Sequence, residues 1–457
     1  MSQSALLGPG SQNPRCLRPK RAGDTLPALF QTCPHPRRIP NGMMPDFHYR
    51  SVPLLQDGIY RVQTTTGAQR NPGIDLLRGL SIILVVIHHL ALRIPLMQTG
   101  LAAIFPARLL KALTWDGPTG VKIFFVISGF LITDHTLRRW GSPGGINVFA
   151  FSARRACRIL PCLLVLLGVL AVLNLAGVPD FLFHHDNQTL PGALFAALFM
   201  HLNLYEARTN YLPANWDVLW SLSVEELFYV AFPVLCFLSG RIPKVIGSGL
   251  LALVFALLAL SIPFAEWQIR NASEIWQDEA YGPGMSAIAM GVCAALLAHR
   301  LTPALYARLT PWLGWIGAFG MGFSLIDTPI LWATLGYGAF LFLTASCAAL
   351  LLAFYNGWGK ATASRFLAWP RHWGRLSYEI YLSHMFVVMP MVHLFRATGG
   401  NWTLGWVWFI PTLGLSFCLG ALVDRFLSRP ADRWLLEKSG LRRPQPSEEA
   451  SGRIAEI

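Results

Sequence analysis

The chain has 457 residues, of which 53% are hydrophobic and only 13% are charged, about half the charged share of a soluble globular protein. This balance, with 16 Trp and 28 Phe residues, excludes a disordered chain, a collagen-like repeat and a disulfide scaffold, and it favours a protein that crosses a membrane several times. The net charge of +13 is large for so few charged residues. It indicates either an anionic partner or an orientation in the membrane that places most basic residues on one side.

The N-terminal residues 1–69 are rich in Pro, Gly and Arg and contain no apolar run that could cross a bilayer or act as a signal peptide. We predict a disordered basic tail on the cytoplasmic side. Met43 and Met44 begin a more ordinary segment, and translation from either one is a hypothesis that N-terminal sequencing of the native protein tests.

Apolar stretches of about 17–25 residues follow the tail, and each has the length of a membrane-spanning helix. There are about ten of them, at approximately 75–96, 119–136, 159–177, 217–239, 245–264, 281–299, 310–326, 329–353, 376–396 and 404–424. Residues 191–204 are short for a span and are expected to be re-entrant or interfacial.

The distribution of basic residues orients these spans. With both termini in the cytoplasm, about 30 of the 37 Lys and Arg residues lie on the cytoplasmic side, which accounts for most of the net charge. We therefore predict an all-α polytopic bundle of about ten transmembrane helices, with residues 70–430 as the membrane domain and 431–457 as a polar C-terminal tail. The eight scattered Cys residues contain no Cys-x-x-Cys pair, so we predict small buried side chains and no zinc site.

The first span carries ionisable residues, which are costly within a membrane and are therefore functional candidates. Arg78 and His89 are eleven residues, or about three turns, apart, so they project from one helix face with about 16 Å between them along the axis. Asp75 can pair with Arg78. The alternative is that Arg78 is only a topology anchor and His89 a packing residue, but their common stripe favours a site.

The fourth span contains Trp220 and Ser221 near its start and places Glu225 and Tyr229 on one face. A carboxylate at that depth needs a cation or hydrogen-bond donors, and Arg78 or His89 could supply one. A purely structural ion pair is the alternative.

Three arginines, Arg154, Arg155 and Arg158, lead into the third span. They are either a topology signal or a cluster that holds phosphate groups, which guanidinium binds in bidentate fashion.

Weaker candidates lie in the second and ninth spans. Ser128 precedes Gly129, a residue that permits close helix packing. Tyr381 is either an interfacial anchor or a site residue, and His384 lies about two turns into its span. No glycine-rich phosphate loop, His-Glu-x-x-His helix or Gly-x-Ser-x-Gly elbow occurs, so zinc-protease and serine-hydrolase chemistry have no support.

Five segments in order resemble the motifs of acyltransferase family 3, the integral membrane O-acyltransferases that modify carbohydrates. They are residues 70–89, 120–130, 151–161, 220–233 and 376–384. The resemblance covers approximately residues 70–430. Lys122 stands where an acidic residue is common, Leu227 replaces a frequent Gln, and the Glu-Arg-Pro ending becomes Ser428-Arg429-Pro430.

The resemblance implies roles for individual residues of this chain. The catalytic group would be His89, Arg78 and Glu225. The substrate-binding group would be Arg154, Arg155, Arg158, Ser128, Trp220, Ser221, Tyr229, Tyr381 and His384. No metal is expected. His89 would act as a base or as a nucleophile, and Arg78 with the arginine cluster would hold the phosphates of the acyl donor.

The function implied is transfer of an acyl group, expected to be acetyl, from cytoplasmic acyl-CoA to a hydroxyl of an extracytoplasmic carbohydrate or glycoconjugate. The expected setting is the cytoplasmic (inner) membrane, with lipid and the two substrates as partners, no tightly bound cofactor and no nucleic acid. The alternatives are a proton-coupled transporter, against which the lack of an inverted repeat speaks, and a non-enzymatic scaffold. Acylation of a glycan that depends on acyl-CoA would discriminate among them.

Overall fold

The computed structural model describes residues 70–115 and 117–441, and within these ranges the chain forms helices and no β-strand. The tail predicted for residues 1–69, with Met43 and Met44, and residues 442–457 of the predicted C-terminal tail lie outside the described residues. The α-helices are α1 (Pro72–Ala91), α2 (Ala107–Trp115), α3 (Gly117–Trp140), α4 (Val148–Leu175), α5 (Leu190–Leu198), α6 (Leu202–Thr209), α7 (Trp220–Ser239), α8 (Lys244–Leu260), α9 (Ile262–Ile269), α10 (Glu274–Glu279), α11 (Tyr281–Arg300), α12 (Pro303–Ile326), α13 (Thr328–Leu335), α14 (Gly338–Tyr355), α15 (Ala368–Arg375), α16 (Ser377–Ser383), α17 (Met385–Ala397), α18 (Phe409–Val423) and α19 (Arg429–Lys438).

The membrane bundle predicted from composition is confirmed. Within the described residues, eight helical segments are long and apolar enough to cross a bilayer. They are Pro72–Ala91, Gly117–Trp140, Val148–Leu175, Asp217–Ser239, Glu274–Arg300, Pro303–Ile326, Gly338–Tyr355 and Trp402–Lys438. A further candidate is the pair α16 and α17, which meet at His384 with a bend of 48°. The apolar helix α8 is shorter, with 17 residues, so the number of ten spans and the location of the termini stay predictions.

One predicted span is interrupted in the structure. The stretch at 329–353 is divided between α13 and α14, because Gly336 between them has a φ of +53°, which interrupts a right-handed helix. The apolar stretch 191–204, predicted to be short for a span, forms most of α5 and the first residues of α6, both too short to cross a bilayer. The first residues of the segment 431–457 belong to α19, which ends at Lys438.

The first helix is capped and anchored at its N-terminus. Oδ1 of Asn71 accepts hydrogen bonds from the backbone amides of Gly73 at 3.0 Å and Ile74 at 3.2 Å, and Pro72 occupies the first turn. Nδ2 of Asn71 donates to the carbonyl oxygen of Phe354 at 2.6 Å, which ties α1 to the end of α14. Because α1 then runs without interruption to Ala91, the positions of its polar side chains are set by one continuous helix.

The main core lies where α1, α3, α7, α11 and α14 pack together. Helices α3 and α11 are in backbone contact, because a Cβ atom added at Gly129 would lie 2.0 Å from the carbonyl oxygen of Ile288. One added at Gly291 would lie 1.9 Å from the carbonyl oxygen of Val126. The close packing predicted at Gly129 is therefore confirmed, and it holds the neighbouring Ser128 at a fixed height in the bundle.

The cysteines within the described residues are free, as expected from their spacing. Cys157, Cys162, Cys236 and Cys347 are buried and Cys293 is half-buried, whereas Cys418 is exposed on α18. The prediction of buried cysteines is thus wrong for Cys418, whose surface exposure suits a helix of mainly apolar residues that faces lipid.

Candidate active site

A cavity with an empty volume of about 950 Å³, open mouth included, lies between α1, α3, α4, α7 and α16. Its polar wall brings together eight of the residues predicted for the site, from five regions of the sequence. They are Arg78, Ser128, Arg155, Arg158, Ser221, Glu225, Tyr229 and Tyr381. The rest of the wall is mainly apolar and includes Phe124, Phe125 and Ile159. A mixed cavity with a few convergent polar groups is typical of a small-molecule site.

The carboxylate of Glu225 is held in the cavity wall by two hydroxyl groups. Oγ of Ser128 donates to its Oε1 at 2.7 Å, and Oη of Tyr229 donates to its Oε2 at 2.8 Å. The guanidinium of Arg155 lies 5.2 Å from the centre of the Tyr229 ring. Each carboxylate oxygen thus has a donor, so hydroxyls provide the compensation for which the sequence suggested Arg78 or His89.

Arg78 extends from α1 to the beginning of α16. Its Nη2 donates to Oγ of Ser377 at 2.8 Å. The predicted partner Asp75 instead places Oδ2 at 3.3 Å from Nε of Arg375, at the end of α15. Since α15 packs along this part of α1, Arg375 reaches the carboxylate, while Arg78 is left to line the cavity with Arg155 and Arg158.

The basic cluster in the first half of α4 is divided by the fold. Arg155 and Arg158 line the cavity, and Nη2 of Arg158 lies 3.2 Å from Oε1 of Glu379. Arg154 does not line the cavity, since its Nη1 donates to the carbonyl oxygen of Leu441 at 2.8 Å. Arg154 and its two neighbours therefore have different surroundings although they occupy one short basic motif.

Glu379 is a site residue to which the sequence reasoning assigned no role. Its side chain is fully buried, and it forms the ion pair with Arg158 behind the cavity wall. The rule that singled out Glu225, an acidic residue at the start of an apolar span, applies equally to Glu379. Ser377 and Tyr378 belong to the same segment, 376–384, and both also line the cavity.

Two histidines lie next to the cavity, behind Tyr381. Nε2 of His384 is 3.4 Å from Nδ1 of His89, and the ring centres are 4.9 Å apart. The ring of Tyr381, a wall residue, is 6.1 Å from that of His384. His89 is thus connected to the cavity wall through His384 and Tyr381, and neither histidine is among the residues that line the cavity.

The hydrogen bonds of this pair define how its protons are arranged. Nδ1 of His89 is 2.8 Å from the carbonyl oxygen of Val85, and Nδ1 of His384 is 2.8 Å from that of Tyr381. Since a carbonyl only accepts, both Nδ1 atoms carry hydrogen in the neutral rings. Nε2 of His384 then accepts from Nδ1 of His89, and Nε2 of His89 is the nitrogen with a free lone pair.

The remaining predicted residues support the wall. Oη of Tyr381 donates to the carbonyl oxygen of Val218 at 2.8 Å and shares a 2.8 Å hydrogen bond with Oγ of Ser221. Trp220 does not line the cavity, and its ring packs edge-on at 6.1 Å from Phe125, which does. Trp220 thus contributes from behind the wall.

Comparisons with known proteins agree with this architecture. A family profile described as an acyltransferase domain matches residues 71–425. Nodulation protein 10 of Rhizobium leguminosarum bv. viciae is 28% identical over 331 residues, which are 68% of this chain and 81% of that protein. Peptidoglycan O-acetyltransferase OatA of Listeria monocytogenes is 26% identical over 384 residues, 79% of this chain and 55% of that protein.

Matches to other relatives are shorter. A putative O-acetyltransferase of Staphylococcus aureus is 30% identical over 168 residues, which are 36% of this chain and 24% of that protein. The chain thus spans about half the length of the Listeria relative and about a quarter of the Staphylococcus one. No solved structure matches the chain.

Proposed function

This chain belongs to acyltransferase family 3, and from that membership we propose that it transfers an acetyl group from cytoplasmic acyl-CoA to a hydroxyl group of an extracytoplasmic carbohydrate. The proposal includes a location in the cytoplasmic (inner) membrane with both termini in the cytoplasm, which the asymmetry of the basic residues supports. Acyl-CoA is a co-substrate, and a tightly bound cofactor is not part of the proposal.

The donor end of the site would be the arginine-lined wall. Arg78, Arg155 and Arg158 face one cavity, and guanidinium groups bind phosphate oxygens in bidentate fashion. Arg78 lies at the end of α1 that the charge distribution predicts to be cytoplasmic, the side on which acyl-CoA is available. About 16 Å along the axis of α1 separate Arg78 from His89, a distance that an extended thioester arm can cover.

The observation that carries the proposal is the fixed tautomer of His89. Because Nδ1 is engaged by Val85 and His384, Nε2 can accept the proton of an acceptor hydroxyl. The hydroxyl oxygen then bonds to the thioester carbonyl carbon, the carbon–sulfur bond breaks, and the departing thiolate takes the proton from His89. The products are the ester and free CoA.

An acyl-histidine route is the alternative within the same function. In that route Nε2 of His89 attacks the thioester first, and the acceptor hydroxyl later displaces the imidazole. Incubation with radiolabelled acetyl-CoA in the absence of acceptor separates the two, because only the second route labels the protein itself.

The acceptor is proposed to be a glycan of the cell envelope. One relative is a peptidoglycan O-acetyltransferase, and this chain covers about half of that protein's length. Mass spectrometry of envelope glycans from a deletion strain and its complemented control would identify the polymer that loses acetyl groups.

The test of the function itself uses membrane vesicles that contain the full chain, radiolabelled acetyl-CoA and a glycan fraction. We expect covalent label in the glycan with the wild type and none with His89→Ala. His393→Ala is a matched control, because His393 lies on α17 and pairs with Asp180 at 2.8 Å, away from the cavity. Movement of a solute without a covalent product would favour the transporter instead.

A further inference from the structure

Three carboxylates converge away from the arginine-lined wall. Glu206 lies on α6, Asp217 begins the short 3-10 turn that leads into α7, and Glu279 ends α10. Carboxylate oxygens of the three residues all lie within 4.8 Å of one another. The charge distribution predicts this end of the bundle to be extracytoplasmic. None of these residues has a part in the proposed reaction.

The cluster contains buried oxygen atoms that lack donors. Glu206 is 0% and Glu279 is 3% exposed, and Oε2 of each finds no hydrogen-bond donor among the described residues. Asn203 lies one turn before Glu206, is fully buried, and donates from Nδ2 to the carbonyl oxygen of Glu279 at 3.0 Å. Its Oδ1 has no donor in the described part of the chain either. Buried polar atoms are nearly always bonded, so these three oxygens need an explanation.

Positively charged side chains do not explain these unbonded buried oxygens. Among the described residues, no Lys or Arg lies within 4.0 Å of the three carboxylates, and Arg93 acts on Asp217 only over a longer distance. Three buried carboxylates this close together repel one another when ionised, and a cation bound between them would neutralise that charge.

We propose that Glu206, Asp217 and Glu279 bind a divalent cation, with Oδ1 of Asn203 as a further ligand. The expected ion is calcium. Calcium takes carboxylate and amide oxygens at about 2.3–2.6 Å, so two ligands on opposite sides of one ion are about 5 Å apart, which matches the spacing of the cluster. An all-oxygen donor set disfavours zinc, which takes nitrogen and sulfur ligands as well. Magnesium demands stricter octahedral geometry and is the competing ion.

The ion would hold together three segments that meet beside the cavity. Val218 follows Asp217 directly, and its carbonyl oxygen accepts the 2.8 Å hydrogen bond from Tyr381 in the cavity wall. Ser221, one turn further along, lines the cavity. Calcium binding would thereby fix the segment that borders the site on the side from which the carbohydrate is proposed to arrive. The binding itself does not depend on the proposed reaction.

The direct test is equilibrium binding of radioactive calcium to the purified full chain in detergent. We expect one saturable site per chain, and we expect at least tenfold weaker binding in Asp217→Asn and in the double variant Glu206→Gln/Glu279→Gln. Asp327→Asn is the matched control, because Asp327 pairs with Arg108 at 2.9 Å outside the cluster and should bind calcium like the wild type.

Thermal unfolding provides a second measurement on the same samples. Calcium should raise the melting temperature of the wild type and of Asp327→Asn, and leave that of the double variant unchanged. Magnesium competing more strongly than calcium would overturn the choice of ion. If the wild-type protein shows no saturable binding of either ion at millimolar concentration, the proposed site is overturned. The carboxyl groups would then be protonated and hydrogen-bonded to one another.

Discussion

His299 on α11 and His89 on α1 both lie inside the bundle, but their rings are held in different ways. Nε2 of His299 donates to Oδ1 of Asp134 at 2.8 Å, and Oη of Tyr355 donates to the same carboxylate oxygen at 2.8 Å. Arg138 completes this network with a bond to Asp134 at 2.9 Å. The ring of His89, in contrast, is bonded through Nδ1 alone among the described residues.

The difference separates a histidine that stabilises the bundle from one that can react. The Asp134 network satisfies its members with one another, so its loss should affect folding more than chemistry. The His89–His384 pair leaves the Nε2 lone pair of His89 without a donor among the described residues, which a stabilising role does not require.

The largest expected effect is a contrast between His89→Ala and His299→Ala. Loss of a general base reduces turnover by about 10²–10⁴-fold, so His89→Ala should lose acetyl transfer at an unchanged melting temperature. His299→Ala should lower the melting temperature and keep the turnover of the folded fraction. Radiolabel transfer and thermal unfolding on the same preparations check both. Wild-type turnover in His89→Ala would remove the distinction.

His384 is a positioning residue in this scheme, and its replacement should cost less than that of His89. We expect His384→Ala to lower kcat by about 10²-fold with little change in KM, because His89 then loses one of the two acceptors that hold its Nδ1 hydrogen and orient its ring. His384→Gln should recover part of the loss, since its amide oxygen can accept from Nδ1 of His89. Equal activities of the two variants would mean that His384 only fills space.

Arg78→Lys should raise KM for acyl-CoA by about tenfold or more, because lysine retains the charge but loses the planar fork. The control is Arg375→Lys, which changes the cation beside Asp75 at a residue that does not line the cavity. Steady-state kinetics with varied acyl-CoA measure both. If the two variants have the same KM, Arg78 is an anchor and not a phosphate ligand.

Glu225→Gln should reduce turnover by about tenfold, since the amide can accept from only one of the hydroxyls of Ser128 and Tyr229. Glu226→Gln is the control next to it in the sequence, because Glu226 does not line the cavity. A Glu225→Gln enzyme as active as Glu226→Gln would show that the carboxylate is not needed for the wall.

The smallest expected change is in the KM for acyl-CoA, and it distinguishes Arg155 from its neighbour Arg154. Arg155 lines the cavity, whereas Arg154 binds the carbonyl oxygen of Leu441. Arg155→Ala should therefore raise KM for acyl-CoA several-fold, while Arg154→Ala should change it less than about twofold. If Arg154→Ala raises the KM for acyl-CoA more than Arg155→Ala does, acyl-CoA binds on the side of α4 that carries Arg154.

The sequence predicted the parts of this molecule that depend on local pattern. Apolar runs located the spanning helices, and the eleven-residue interval put Arg78 and His89 on one face of α1. Glu225 was found because a carboxylate in an apolar segment is rare. These inferences need only the composition and period of one segment.

What the sequence did not predict depends on contacts between distant segments. Asp75 and Arg78 are three residues apart, yet α15 brings Arg375 to the carboxylate and α16 brings Ser377 to the guanidinium. The division of Arg154 from Arg158 likewise follows from partners more than 200 residues away, Leu441 and Glu379. No spacing rule contains that information.

The backbone contacts of α3 with α11 at Gly129 and at Gly291 set the depth of the site in the membrane. A slip of α3 by one turn would move Ser128 by about 5.4 Å along the membrane normal and take its hydroxyl away from Glu225. Two residues without side chains therefore determine the level in the bilayer at which the carboxylate is held. A bulkier residue at either position would alter that level without touching any group that reacts.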